Sequence, residues 1–344
     1  MVPADPRLQT LIDAATVFAV PLRYRFWGLT TRTGIVLQGR IGWGEFAPFE
    51  EYGPEEAARW LDAAVEAAFL GVPQPVRETV GVNAIIPAVT PERAAALAEA
   101  AATERGCRTA KVKVAEPGGS LASDADRVAA VAETFRGRIK VDANGAWQPD
   151  EACAALAVLE RVAGGLEYAE QPCPDLVGLA EVRRRIGVPI AADESIRRSS
   201  DPVAAARAAA ADVIVVKPTP LGGVRRALDV VAEAGIPTVA SCALDTSVGL
   251  AQTLAFAAAL PELAHDCGLG TGALLAADLV SEPLFPDDGV MRTDYRAICD
   301  NELLAQATAR VSEPERERWL QRLTQAWTAG TRARLGRLLA DSDL

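Results

Sequence analysis

From Val80 onward, short apolar runs recur, and each ends on a charged or hydroxyl-bearing side chain. Residues 109–114 read Thr-Ala-Lys-Val-Lys-Val. In a strand, Lys111 and Lys113 then point one way and Val112 and Val114 the other, leaving one face doubly cationic. Alone, that pattern describes a solvated strand as readily as a site. Downstream come Val-Asp-Ala-Asn-Gly-Ala-Trp (141–147), Ala-Glu-Gln-Pro-Cys (169–173), Ala-Asp-Glu-Ser (192–195) and Val-Val-Lys-Pro-Thr (215–219). The steps from Lys113 to Asp142, Glu170, Asp193, Lys217 and Ser241 are 29, 28, 23, 24 and 24 residues. A strand, a helix and two loops occupy roughly that length, because parallel strands need a helical crossover. The charges therefore fall at the same end of successive parallel strands.

Ahead of this repeat the pattern differs. Residues 15–46 read as β-structure, with 35–38 and 41–45 predicted to pair across a two-residue turn at Gly39 and Arg40. Pro54, Glu55 and Glu56 open a helix whose apolar side carries Ala57, Trp60, Leu61, Val65 and Phe69, and Gly71 ends it. Within the repeat, strands are predicted at 80–86, 109–114, 138–142, 166–170, 189–193, 212–217 and 238–241, with a weak eighth at 264–267. Helices fill the intervals, including 176–186, 202–210 and 249–260. Eight alternating units predict an α/β fold, a closed (β/α)8 TIM-type barrel. Beyond about 277 the repeat fades, and 313–339 read as a helix carrying Trp319, Leu320, Leu323 and Trp327 on one face, expected to return to the N-terminal segment. The expected division is an α+β capping domain at 1–78, completed by residues 281–344, around a barrel at 79–280.

Composition narrows the function. The net charge of −11 over 344 residues leaves no basic stripe for nucleic acid. Six cysteines lie singly, as in a reducing compartment. Asp5, Arg7 and Asp13 stand where a signal peptide needs an apolar core, and no run approaches 18 apolar residues, so a cytoplasmic place away from the membrane is expected. With His265 the lone histidine, acid–base chemistry falls to lysines and carboxylates. The stretch from Gly268 to Ala273 matches a dinucleotide fingerprint but lacks the following βαβ unit, and reads as a turn or a substrate-facing loop.

Asp142, Glu170 and Asp193 converge at the mouth of such a barrel. Singly, each reads as a helix cap or an arginine partner. Together they call for a counter-charge, and all-oxygen ligation without histidine favours Mg²⁺ over zinc. Lys113 and Lys217, four strands apart, face each other across the mouth. A free lysine is a poor base at neutral pH, but burial and a neighbouring cation, here Lys111, lower its pKa. Metal and lysines together suit removal of a proton alpha to a carboxylate in a small-molecule substrate.

These motifs resemble the enolase superfamily, in its muconate-lactonising subgroup, over nearly the whole chain, a pattern of lysine base and Mg²⁺. Lys217-Pro218-Thr219, Asp142 to Asn144 with Trp147, and the stretch from Ser241 to Gly249 are most similar to the o-succinylbenzoate synthase family of menaquinone biosynthesis. The resemblance implies a modified (β/α)8 barrel under an α+β cap made from both termini, and a Mg²⁺-dependent lyase. It also implies that Lys113 acts first as base and then as acid in a syn dehydration. Lys111 would support it, Lys217 would stabilise the enediolate, and Asp142, Glu170 and Asp193 would hold the metal. Asn144 either orients ligands or forms a turn, and Lys140 is either part of the site or a buried ion-pair partner. Glu194 is either a ligand-supporting group or a cap. Ser241, Thr246 and Ser247 either bind a substrate carboxylate or form only a turn. Specificity is expected from a cap loop near residues 18–31. An N-succinylamino acid racemase, a dipeptide epimerase or a cycloisomerase would use the same site, whereas a barrel decayed to a scaffold would lack part of it.

Overall fold

A computed structural model describes residues 5–26, 28–199 and 201–335. Trp27, within the expected cap loop, and residues 336–339, the end of the expected last helix, lie outside the described residues.

The N-terminal meander is antiparallel: β1 (Ala15–Phe26), β2 (Leu29–Gln38) and β3 (Trp43–Phe46). Its second turn is longer than the sequence suggests, because Gln38 pairs with Trp43 and residues 39–42 form the loop. A distant helix decides this. The N–H groups of Ile41 and Gly42 both donate to Ala68 O, at 2.9 and 3.2 Å, so they are not free for a strand ladder. The approach is close enough that a Cβ at Gly39 would sit 2.2 Å from that same oxygen.

The cap helix Pro54–Val65 starts on proline with Glu55 and Glu56 in its first turn, which suits the helix dipole. It runs on through a π-helical turn, Glu66–Leu70. Against it returns Glu313–Ala326, followed by the π-turn Trp327–Thr331 and the short helix Arg332–Leu335. Trp319, Leu323, Trp327 and Leu335 share one core with Phe46, Trp60, Leu61 and Ala64. Trp319 meets Phe46 edge-on at 6.1 Å.

The predicted first barrel strand divides. β4 (Thr79–Gly81) later pairs antiparallel with β12 (Val290–Arg292), and only β5 (Ala84–Ile86) enters the parallel sheet. β6 (Thr109–Lys113), β7 (Arg138–Asp142), β8 (Tyr168–Glu170), β9 (Ile190–Ala192), β10 (Val213–Val216) and β11 (Thr238–Ala240) follow in sequential order across that sheet. The weak eighth strand is reduced to two bridges, Val82 with Cys267 and Ser241 with Gly268, which join the two edges into a ring. Both faces are buried, as parallel sheets require. Tyr168, Ala191, Val213, Val215 and Val239 fill the inside. Val112, Val141, Ala169, Ile190, Ile214 and Ala240 pack outward against the helices. Glu194–Arg197 and Pro218–Leu221 are unforeseen single helical turns directly after Asp193 and before Gly222.

Candidate active site

Strand register gathers the charges. Lys113 lies beside Asp142, and Asp142 beside Glu170; Asp193, Lys217 and Ser241 directly follow β9, β10 and β11. Lys111, Lys113, Asp142, Glu170, Asp193 and Lys217 are all buried, so each charge needs a partner to offset its lost hydration. Lys111 Nζ donates to Glu170 Oε1 and Oε2 at 2.9 and 2.8 Å and lies 3.3 Å from Asp142 Oδ2. Lys113 Nζ donates to Asp142 Oδ2 and Asn144 Oδ1, both at 2.7 Å. Lys217 Nζ donates to Asp193 Oδ2 at 2.5 Å.

The electrostatics follow from those pairings. Burial opposes charge on Lys111, but Glu170 and Asp142 outweigh it and hold its pKa well above the ordinary lysine value. Burial likewise works against the ionised Asp142, yet Lys113 and Lys111 hold it below the usual carboxylate range. Asp193 is lowered in the same way, by Lys217 and Arg197 against burial. Glu170 differs: burial and the nearby Asp142 push it up to about 7 despite Lys111.

Neighbouring residues brace this set, Asn144 and Glu194 in the supporting role weighed for them from the sequence and Arg197 and Arg127 unforeseen. Arg197, on the unforeseen turn after Asp193, places Nε 3.4 Å from Asp193 Oδ1 and donates to Glu194 Oε1 at 2.8 Å. Glu194 Oε1 also accepts from Asn144 Nδ2 at 3.1 Å, which ties the ends of β7 and β9 together. Gln171 Oε1 accepts from Asp193 N at 2.9 Å. Asn144 and Gln171 sit at φ 49° and 40°, a region costly for non-glycine residues and held here by those bonds. Beneath Lys113, Arg127 donates to its carbonyl at 3.0 Å and pairs with Asp124 at 2.7 Å.

Lys111, Lys113, Asp142 and Lys217 share a cavity with Phe26, Ile85, Ser241, Cys242, Leu244 and Thr271. It holds about 20 Å³, room for roughly one water. Phe26, from the end of β1, has its ring 5.4 Å from Lys113 Nζ and also lines an outer cleft of about 680 Å³ with Arg25, Ala115 and Asn144. Thr271 comes from the Gly-rich stretch read as a turn or substrate-facing loop, and its hydroxyl is 2.8 Å from Cys242 Sγ. A roomier cleft of about 700 Å³, among Arg59, Asp62, Arg225 and Arg334, carries none of the strand-end charges and is not the chemical centre.

Two family models match the chain: Enolase C-terminal domain-like over residues 93–297 and Enolase N-terminal domain-like over residues 17–68. The chain belongs to the enolase superfamily. Among curated relatives it is 56% identical to o-succinylbenzoate synthase of Thermobifida fusca (strain YX), over 80% of this chain and 85% of that protein. It is 49% identical to the o-succinylbenzoate synthase of Mycolicibacterium smegmatis, over 92% and 96%. Among solved structures, muconate lactonizing enzyme from Pseudomonas putida superposes with a TM-score of 0.72 at 21% identity, covering 85% of this chain and 98% of that one. The L-Ala-D/L-Glu epimerase from Bacillus subtilis gives 0.70 at 22%, covering 82% and 95%. These two matches establish the modified TIM barrel and its cap.

Enolase-superfamily proteins generally use a divalent metal. Among the described residues no three His, Cys, Asp or Glu side chains converge into an ion cage, because the carboxylates turn to the lysine ammonium groups. The donor set nevertheless fits a hard cation: three buried carboxylates stand on adjacent strand ends, and Asp193 Oδ1 is buried without a hydrogen bond.

Not every expected residue faces the cavity. Ser241 does. Thr246 Oγ1 instead donates to Glu45 Oε2 at 2.6 Å, and Ser247 Oγ to Asp278 Oδ2 at 2.7 Å, because the first turn of helix Ser247–Ala259 directs both hydroxyls to nearby acids. Lys140 is a buried ion-pair partner away from the cavity, donating to Asp266 O at 2.7 Å and lying 3.6 Å from Glu167 Oε2. His265 belongs to that second network, with Nδ1 2.7 Å from Glu167 Oε1.

Proposed function

We propose that this chain is an o-succinylbenzoate synthase, a Mg²⁺-dependent lyase of menaquinone biosynthesis that dehydrates 2-succinyl-6-hydroxy-2,4-cyclohexadiene-1-carboxylate. The observation that carries the reading is the pairing of Lys113 and Lys217 on the wall of one cavity beside three buried carboxylates, in a chain about half identical to proteins of that name. We assign Asp142, Glu170 and Asp193 to the metal and Lys113, Lys111 and Lys217 to the reacting atoms. A bound Mg²⁺ would supply positive charge for the carboxylate that gains electron density.

Lys113 takes the proton from the ring carbon bearing the carboxylate. The electron pair moves into the carboxylate to give an enediolate, whose charge Lys217 opposes. The pair then returns to the ring and expels the hydroxyl from the adjacent carbon, and Lys113 gives back its proton so that water leaves and the ring becomes aromatic. Lys111, held cationic by Glu170 and Asp142, fixes the Asp142 oxygen that Lys113 also binds. Asn144 holds the Lys113 ammonium between proton transfers. Ser241 offers its hydroxyl to the substrate's succinyl carboxylate. Phe26 stands between the outer cleft and the cavity, and its displacement admits the substrate.

We assign the capping role to residues 1–78 completed from within 281–344, around a barrel at 79–280 to which Val290–Arg292 adds through its pairing with Thr79–Gly81, and a cytoplasmic setting suits six cysteines that all stand unpaired. No helix among the described residues is long and apolar enough to cross a membrane. The test follows absorbance of the aromatic product with Mg²⁺ and with chelator. Fast, metal-dependent aromatisation is expected, and its absence rejects the reading. Because Lys113 and Lys217 both line the cavity, N-succinyl amino acids in D₂O are the parallel substrate. Exchange of their alpha proton without aromatisation would make the protein a racemase.

A further inference from the structure

Two glutamates of the cap reach into the barrel in the same way. Glu45, on β3, is buried, and its Oε2 accepts from Thr246 N at 3.1 Å, Thr246 Oγ1 at 2.6 Å and Gly249 N at 3.1 Å, at the start of helix Ser247–Ala259. Glu66, in the π-turn that ends the cap helix, accepts from Val224 N, from Arg225 N at 3.2 Å and from Arg225 Nη1 at 2.9 Å, at the start of helix Val224–Ala234. A glycine makes room at each place. A Cβ at Gly249 would lie 3.1 Å from Glu45 Oε2, and one at Gly223 would lie 2.3 Å from Glu66 Oε2. The unpaired N–H groups and the dipole at a helix start attract an acidic oxygen, so both contacts dock the cap on the barrel.

Docking accounts for Glu66, but Glu45 touches more. The segment leading into its helix contains Ser241, Cys242 and Leu244, which wall the cavity, and Leu244 is held at φ 62°. The cap grips this turn a second time through Arg32, whose Nε donates to Leu244 O at 3.1 Å. Within the turn, Asp245 Oδ2 accepts from Ala243 N at 3.0 Å.

We propose that Glu45 is a positioning residue for the substrate: by fixing Thr246 and Gly249 it holds the turn at residues 242–246 against the cavity, so a cap side chain outside the cavity sets the shape of its wall. The proposal rests on the reading of that cavity as the substrate site. It assigns to one buried acid a part of the specificity expected from the cap loop.

The experiment compares full-length wild type, Glu45→Ala, Glu45→Gln and Glu66→Ala in three measurements: thermal stability, steady-state kinetics with Mg²⁺, and the rate at which iodoacetamide alkylates Cys242, read by peptide mass with the other cysteines as internal references. Both alanine variants lose stability. Only Glu45→Ala is expected to raise KM and to speed Cys242 alkylation, each by about tenfold, the order expected from losing a buried hydrogen-bonded acceptor. Its kcat should stay within about twofold of wild type. Glu45→Gln, which keeps an oxygen for the Thr246 and Gly249 donors, should restore both values. Should Glu45→Ala fail to fold, Thr246→Val removes one hydroxyl donor and carries the same expectation at about threefold. Wild-type KM and alkylation in Glu45→Ala, or equal changes in Glu66→Ala, would overturn the proposal. If wild type turns over none of the substrates, the functional reading falls, and the alkylation rates still decide whether Glu45 holds the turn.

Discussion

Lys111 and Lys113 bring their ammonium nitrogens to the same oxygen of Asp142, at 3.3 and 2.7 Å. One carboxylate oxygen thus serves two cations, while Glu170 holds Lys111 from its other side. Both ammonium groups line the cavity, but Lys111 is shared between Glu170 and Asp142 whereas Lys113 is shared between Asp142 and Asn144, and that difference separates their expected roles.

Lys113→Ala is therefore expected to abolish alpha-proton exchange in D₂O and to lower turnover by about 10³-fold or more, the scale of a lost general acid–base group. Mg²⁺ affinity by calorimetry should stay near wild type. Retained turnover would remove Lys113 from the mechanism.

Asp193 reaches both Lys217 and Arg197 and keeps one oxygen without a hydrogen bond. Asp193→Asn is expected to raise the Mg²⁺ concentration needed for half-maximal activity by about tenfold or more. A titration with unchanged midpoint and lower plateau would place Asp193 outside the metal site.

The second buried network separates stability from chemistry. Lys140 is fully buried and joined to Asp266 O and Glu167, and burial lowers its pKa despite Glu167. Lys140→Ala removes the buried cation beside Glu167, leaving His265 and Arg138 against it, and should cost about 1–3 kcal/mol in urea unfolding, the scale for a buried polar group that loses one partner. KM should not change. An altered KM with unchanged stability would bring Lys140 into the site.

Burial, together with the neighbouring Asp245, pushes Glu45 up to about 8, against Arg32 and the Thr246 and Gly249 donors; Cys299 also feels its charge. A folded pKa above the unfolded value of an acid means that the native state binds the proton more tightly. The resulting stability is fully present below the unfolded pKa and is lost as pH rises through about 8. Unfolding midpoints should accordingly fall between pH 6 and pH 9 in wild type and fall less in Glu45→Gln. Parallel slopes would contradict the raised pKa.

The placement of Lys111, Lys113, Asp142, Glu170, Asp193 and Lys217 was legible because a parallel strand repeats its inward side chain at one end, and a crossover helix sets a narrow interval between strands. Other features answer to contacts distant in sequence. The turn at 39–42 is shaped by Ala68 O, and the hydroxyls of Thr246 and Ser247 are drawn away from the cavity by Glu45 and Asp278. Arg197 was hidden because a single helical turn carries no periodicity. Thr271 did leave a signal, a glycine-dense loop with no βαβ unit to explain it.

The ring of strands is uneven in a way that bears on access. Between β11 and Val82 the wall is carried by Cys267 and Gly268, whose four backbone bonds join Gly81, Asn83, Ala240 and Cys242. That seam adjoins Cys242, in the flank of the cavity formed by the seventh and eighth units, and lies away from β7 to β9, which carry or lead into Asp142, Glu170 and Asp193. The ring is thus closed by its shortest contacts beside the cavity wall, and space there is tight: a Cβ at Gly268 would sit 2.6 Å from Ser241 Oγ. Bulk added at that closure would press on Ser241 before it reached the strands that carry Lys113 and Asp142.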